Sequence, residues 1–195
     1  MTQKDIALRA MRNLCLSYLA YTNLGNNVVQ KHYNNANNMT DTLAALNMAT
    51  KAALPCRDTL LVDFEQKWQH DGLVMDKWFA LQATRPDENV LEIVQALMDH
   101  PSFNFNNPNR LRSLVGSFAN HNLKAFHHIS GSGYRFLTDV LIRLNETNPQ
   151  VAAPLIRFSR FDAQRQTLMK RALERLSAVE ELSKDLFEKI EKALQ

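Results

Sequence analysis

Apolar residues recur at three- and four-residue intervals along nearly the whole chain, the spacing of one face of an α-helix. Thr2 and Asp5 have capping-box spacing ahead of Ile6, Ala10, Leu14 and Tyr18, which fall on one helical face. The Asn-dense stretch from Asn23 to Asn38 carries a weaker helix around residues 28–33. Thr40 can cap a segment running from Asp41 to Leu54, which Pro55 closes. Helices are predicted over residues 58–69 and 73–83. Pro86 and Asp87 open another, whose Val90, Leu91, Ile93, Val94, Leu97 and Met98 leave so little polar face that burial is expected.

Beyond it, Pro101 to Asn107 is irregular and rich in Asn and Phe, and Pro108 suits a first helical position. A helix over residues 110–119 and a turn around 123–127 lead to Gly131-Ser132-Gly133, read as a helix–helix turn. Tyr134, Leu137, Val140, Leu141 and Leu144 then form one stripe. Pro149 marks a further start, Asp162 caps a long helix ending near Leu176, and Ser183 begins the last, with Glu188 and Lys192 four apart. Five glycines and six prolines supply little turn chemistry for strands. The expected fold is therefore all-α, about ten helices in antiparallel pairs stacked as an α-α superhelix (solenoid). No fixed sequence period accompanies it, so the repeats are structural. At 195 residues the chain is expected to form a single helical domain.

Composition narrows the function classes. Hydrophobic residues make up 45% and charged residues 22%, which is ordinary globular usage. A net charge of +3 is far from a nucleic-acid footprint, so no nucleic-acid partner is expected. Charge is uneven: residues 51–100 carry five basic and nine acidic side chains, and residues 101–150 five and two. The second stretch thus offers a mildly positive surface suited to a carboxylate. Cys15 and Cys56 form no C-x-x-C pair and read as small core thiols of a reduced, cytoplasmic protein. No run approaches the ~20 apolar residues of a membrane span, and Lys4, Asp5 and Arg9 stand where a leader would be apolar.

Searches for chemistry mostly fail. H-E-x-x-H, Walker, G-x-G-x-x-G and G-x-S-x-G patterns are all absent. No two of the six histidines are spaced i, i+4, and the neighbours His127 and His128 diverge by about 100° on a helix, so no metal site is expected. Two segments stand out. In residues 74–79 the charges of Asp76 and Lys77 sit among large apolar residues, which favours a structural ion pair or cap over catalysis. In residues 106–113, amide-bearing Asn106, Asn107 and Asn109 precede Arg110 and Arg112, whose guanidinium forks suit carboxylates. One arginine suffices to lock the loop, and Arg110 takes that role. Arg112 is left for either loop or ligand.

L-V-M-D-K-W-F at 73–79, H-P-S-F at 100–103, N-P-N-R-L-R-S-L at 107–114, G-S-G-Y at 131–134, N-P-Q-V-A at 148–152 and L-S-K-D-L-F-E-K-I-E-K-A-L at 182–194 occur in one order. With M-T-D-T-L-A-A-L at 39–46, they resemble the C-terminal domain of the bacterial aminopeptidase N family, from about residue 39 to the end and more loosely before it. The resemblance implies a zinc (gluzincin) aminopeptidase that removes N-terminal residues from cytoplasmic peptides. Its zinc ligands, general-base glutamate, G-A-M-E-N segment and transition-state tyrosine lie upstream in a thermolysin-like domain, and none of those motifs occurs here. The domain then caps the catalytic domain of the same polypeptide as a superhelix, enclosing a cavity that peptide substrates enter. By that analogy Arg112 faces the cavity and meets a peptide carboxylate, while Asn107 and Arg110 shape the loop.

One departure stands out. The family has a longer, arginine-bearing stretch before P-L-I-R, whereas here Ala152-Ala153 runs straight into Pro154, about one helical turn shorter. The expected function is access control with no catalysis and no tight zinc binding in this chain. The alternative is a free-standing helical-repeat module that binds a partner protein or peptide.

Overall fold

The computed structural model describes residues 2–156 and 162–194, and the described residues contain helices and loops only. They form two compact units, the first ending at Asp87 and the second beginning at Glu88. In the first, α1 (Gln3–Leu19), α2 (Gly25–Asn34), α3 (Met39–Lys51), α4 (Arg57–Trp68) and α5 (Gly72–Ala83) pack in chain order. Helix α3 is the hub, touching α1, α2, α4 and α5. Leu46, Leu61, Phe64, Met75 and Phe79 are fully buried there, each contributing roughly 1.5–3 kcal/mol. Trp78 Nε1 donates to the Leu61 carbonyl at 3.0 Å, fastening α5 to α4.

Local capping explains most boundaries. The Thr2–Asp5 capping box is present on α1. Asp71 Oδ1 accepts from the Leu73 and Val74 amides at the start of α5. At α3 the cap is Asn38, whose side chain accepts from the Asp41 amide, and Thr40 lies inside the helix. The helix expected from Pro86–Asp87 starts only at Val90. Asp87 is drawn away by Arg57 at 3.0 Å and Arg85 at 2.6 Å, so its carboxylate caps nothing.

The second unit contains α6 (Val90–Leu97), α7 (Pro108–Leu111), a π-helical stretch (Arg112–Gly116), α8 (Ser117–His121), α9 (Leu123–Phe126), α10 (Ser132–Thr147), α11 (Pro149–Ala152), a 3-10 turn (Ala153–Leu155), α12 (Ala163–Ser177) and α13 (Lys184–Leu194). Helix α6 is less buried than its sequence suggests, since only Val90 and Val94 are enclosed. Helices α10 and α12 pack along each other, and α13 closes on α11 and α12. The G-S-G turn works through both glycines. Gly131 has φ +70, in the left-handed region, and a Cβ at Gly133 would sit 2.3 Å from the Phe126 carbonyl oxygen. Pro149 and Asp162 start α11 and α12 as expected. In the final helix the pair is Lys184–Glu188 at 3.8 Å.

Helix α1 is turned inside out. Leu16 is its one fully enclosed large apolar side chain, while Ile6, Leu8, Met11, Leu14, Tyr18 and Leu19 are 42–74% exposed. At 100° per residue, Leu14, Tyr18, Met11, Cys15, Leu8 and Leu19 fall within about 140° of the outer surface, with Ala7 and Lys4 between them. Tyr21 and Leu24, just past the helix, are also exposed. The polar edge instead supplies the contacts to the rest of the unit. Asn13 Nδ2 donates to Asp41 Oδ1 at 3.0 Å, Arg12 pairs with Asp41, and Arg9 Nε lies 3.9 Å from the same carboxylate. Cys15 is therefore exposed rather than a core thiol, whereas Cys56 is buried; both are free.

Candidate functional site

Residues 100–116 build a folded-back loop that feeds an irregular helix. The His100 ring Nδ1 accepts from the Ser102 amide at 3.1 Å, and the Phe103 amide donates to the His100 carbonyl at 2.7 Å. Phe105 is buried, with the Arg143 guanidinium 3.9 Å over its ring, a cation–π contact that anchors the loop to α10. Asn107 then caps α7, its Oδ1 accepting from the Asn109 amide at 3.0 Å and the Arg110 amide at 3.3 Å. Pro108 sits in the first helical turn, where a missing donor costs nothing.

The two arginines differ sharply. Arg110 is 6% exposed and its Nη1 donates to the Ser102 carbonyl, closing the loop onto the helix. Arg112 is exposed, and its guanidinium has no hydrogen bond or ion pair among the described residues. It also opens the π-helical stretch, in which the Ser117 amide reaches back five residues to the Arg112 carbonyl. Asn120 Nδ2 donates to the Gly116 carbonyl at 2.7 Å at the end of that stretch. Such widened turns are rare and concentrate at functional sites. The sequence carries no sign of this one, because Leu111, Leu114, Val115 and Phe118 keep the three- and four-residue spacing of an ordinary α-helix.

Asp76 and Lys77 belong to the other unit. On α5 Asp76 is half-buried and has a partner, while Lys77 is exposed and has no ion pair among the described residues. The charge that is enclosed in that unit is Asp41, 2% exposed. Burial raises the Asp41 pKa, but hydrogen bonds from Asn38 and Asn13 and the Arg12 charge outweigh it and hold the carboxyl below its ordinary value. Nothing in the sequence singles out Asp41, since aspartates in a first helical turn are usually solvated.

Among the described residues no group of three or more His, Cys, Asp or Glu side chains could hold a metal ion. His127 Nδ1 is hydrogen-bonded to the Tyr134 hydroxyl at 2.8 Å, and His128 Nδ1 to Ser130 Oγ at 2.8 Å. Burial, with Arg165 nearby, lowers the His127 pKa. No helix among the described residues is long and apolar enough to cross a membrane.

A family profile described as "Domain of unknown function (DUF3458_C) ARM repeats" matches residues 1–195. The chain belongs to this family. Its all-α class, helix pairs of the ARM-repeat kind, follows. Aminopeptidase N of Haemophilus influenzae is 89% identical over 198 residues, covering 100% of this chain and 23% of that protein. Aminopeptidase N of Escherichia coli is 55% identical over 197 residues, covering 98% of this chain and 23% of that protein. A crystal structure of Legionella pneumophila aminopeptidase A in complex with aspartic acid superposes with a TM-score of 0.89 at 30% identity, over 98% of this chain and 23% of that one. The chain thus spans under a quarter of the length of these relatives and corresponds to the C-terminal domain of proteins named aminopeptidase N. The H. influenzae alignment is longer than this chain, so part of that relative faces no residue here. Arg157, the last residue of P-L-I-R, lies outside the described residues.

Proposed function

We propose that this chain is the access domain of a zinc aminopeptidase that removes N-terminal residues from peptides in the cytoplasm. It caps the catalytic domain of the same polypeptide, restricts which peptides reach the cavity, and supplies no catalytic group. The zinc belongs to the catalytic domain. Two free thiols fit a reducing compartment.

The observation that carries this reading is the outward apolar face of α1. Leu8, Met11, Leu14, Tyr18 and Leu19 share that face, each 42–74% exposed, with Tyr21 and Leu24 exposed just past the helix, and a contiguous apolar patch above a few hundred Å² marks an interaction site. A self-sufficient repeat module would present a polar capping helix at that end. The inward fixing of α1 through Asp41 holds the face in place instead of letting it fold under. Arg112, exposed and without an ion pair among the described residues, is assigned the carboxylate of a short peptide, a role its guanidinium fork suits. Asn107 and Arg110 hold its loop.

The test is reconstitution. The chain is mixed with a separately expressed zinc-bearing catalytic fragment of an aminopeptidase N, and alanyl- and arginyl-amide cleavage is assayed. A complex with restored or altered turnover is expected, and Leu14→Asp with Tyr18→Asp should abolish it. No association at micromolar concentrations, with the chain shown to be folded, would replace this reading with the independent interaction module.

A further inference from the structure

A groove of about 250 Å³ runs between α10 and α12, away from the loop that carries Arg112 in sequence. Three arginines line it, Arg135 from α10 and Arg171 and Arg175 from α12, together with the apolar Leu168 and Ala172. Tyr134, Thr138 and Ala172 also line a smaller apolar recess of about 20 Å³ behind it, which continues to Met169 and Leu173. A recess of that size takes one methyl-sized group.

The charges are not balanced. Arg135 Nη1 donates to the Ser130 carbonyl at 2.7 Å, which steadies the side chain but leaves its charge uncompensated. Arg175 Nη2 pairs with Asp139 Oδ1 at 2.7 Å. Arg171 has neither hydrogen bond nor ion pair among the described residues. Three guanidinium groups therefore share one carboxylate, in a groove also lined by hydrocarbon. A guanidinium fork binds planar carboxylates through two parallel hydrogen bonds, and an apolar lining rewards a ligand with a hydrocarbon part beside its charge.

We propose that this groove binds a carboxylate flanked by an aliphatic group, the chemistry of a peptide C-terminus ending in a residue such as leucine. Arg171 takes the carboxylate, Arg135 adds to the positive field, and the aliphatic group lies on Leu168 and Ala172 with its tip toward the recess. The site is separate from Arg112 and needs no catalytic domain, so it stands or falls independently of the access role.

The probe is N-acetyl-leucine, titrated into the chain while the Gly131 amide and Ala172 methyl signals are followed by NMR. Saturable shifts with a Kd of about 1–10 mM are expected. Arg171→Gln should weaken binding about tenfold, the loss of one charge-assisted bond, and added salt should weaken it further. Lys170→Gln removes the same charge from the same helix outside the groove and should leave the titration unchanged. N-acetyl-leucinamide, which keeps the aliphatic group without the charge, and inorganic phosphate, which keeps the charge without the aliphatic group, should each bind at least tenfold more weakly. The proposal is overturned by an Arg171→Gln titration matching the parent, by phosphate or the amide binding as well as the acid, or by shifts that do not saturate.

Discussion

Replacing Asp41 should cost the first unit more stability than any single surface change. Its carboxylate, 3% exposed at the side chain, accepts from Asn13 Nδ2 at 3.0 Å and Asn38 Nδ2 at 2.7 Å and pairs with Arg12. Breaking a buried pair costs roughly 3–5 kcal/mol because its partners are left unmet. Arg12 is 57% exposed at the side chain and recovers water, so its share falls to the ~0–1 kcal/mol of a surface pair. The two amide bonds to the charge carry most of the rest, at about 1.5–3 kcal/mol each before water and rearrangement offset them. Asp41→Ala should therefore destabilise the unit by about 3 kcal/mol, and Asp41→Asn, which keeps the shape and one acceptor, by about 2 kcal/mol. Urea unfolding followed by tryptophan fluorescence reads this directly, since the only tryptophans, Trp68 and Trp78, both lie in the first unit. At a slope of about 2 kcal/mol per molar, the Ala variant's midpoint should fall by about 1.5 M. The charge can be isolated by pH. The folded carboxyl has a pKa below the ordinary 3.8, so its stabilisation is full above 3.8 and is lost as pH falls through the lower folded value. The gap between parent and Asp41→Asn should hold from about pH 7 to pH 5 and narrow toward pH 3. A midpoint shift under about 0.3 M for Asp41→Ala, or a gap that widens in acid, would refute this account of how α1 is held.

Tyr134→Phe should cost about 1–2 kcal/mol, because His127 Nδ1 loses its hydroxyl partner in a buried aromatic cluster; thermal melts of the chain read the loss. The His127 pKa is lowered below 6.5, so folding favours the neutral ring. Its contribution is present above pH 6.5 and is lost as pH falls through the lower folded value, and His127→Phe should flatten that part of the stability profile. Trp78→Phe should destabilise the first unit by about 2 kcal/mol through lost volume and the lost bond to Leu61, measurable by circular dichroism in urea. Arg112→Ala should leave unfolding unchanged within about 0.5 kcal/mol. In a reconstituted enzyme it should nevertheless raise KM for short peptides with a free C-terminus while sparing the corresponding amides.

What could be read from the sequence was what local chemistry decides. Thr2, Asp162, Pro108 and Pro149 sit at helix starts because their side chains satisfy, or lack, the donors of a first turn, and no tertiary contact competes. Asp87 had the same credentials and failed, because Arg57 and Arg85 claim its carboxylate. In the loop, Asn107 and Arg110 could be assigned from sequence, since an amide and an arginine beside a proline-started turn have few other uses. The π-helical stretch could not. Nor could the arginine groove, whose Arg135 and Arg171 lie 36 positions apart in sequence and meet only in the packed unit.

The inversion of α1 links these limits to function. Periodicity reports that a stripe is apolar and says nothing about which way it faces; direction is set by what the opposite edge can find. Here that edge carries Arg9, Arg12 and Asn13, and the rest of the unit offers them one buried carboxylate. Burying the apolar stripe instead would strand Asp41 among hydrocarbon without its partners, at a cost of several kcal/mol. The polar anchor thus commits the helix to presenting leucine, methionine and tyrosine outward, the surface on which the proposed docking to a catalytic domain rests.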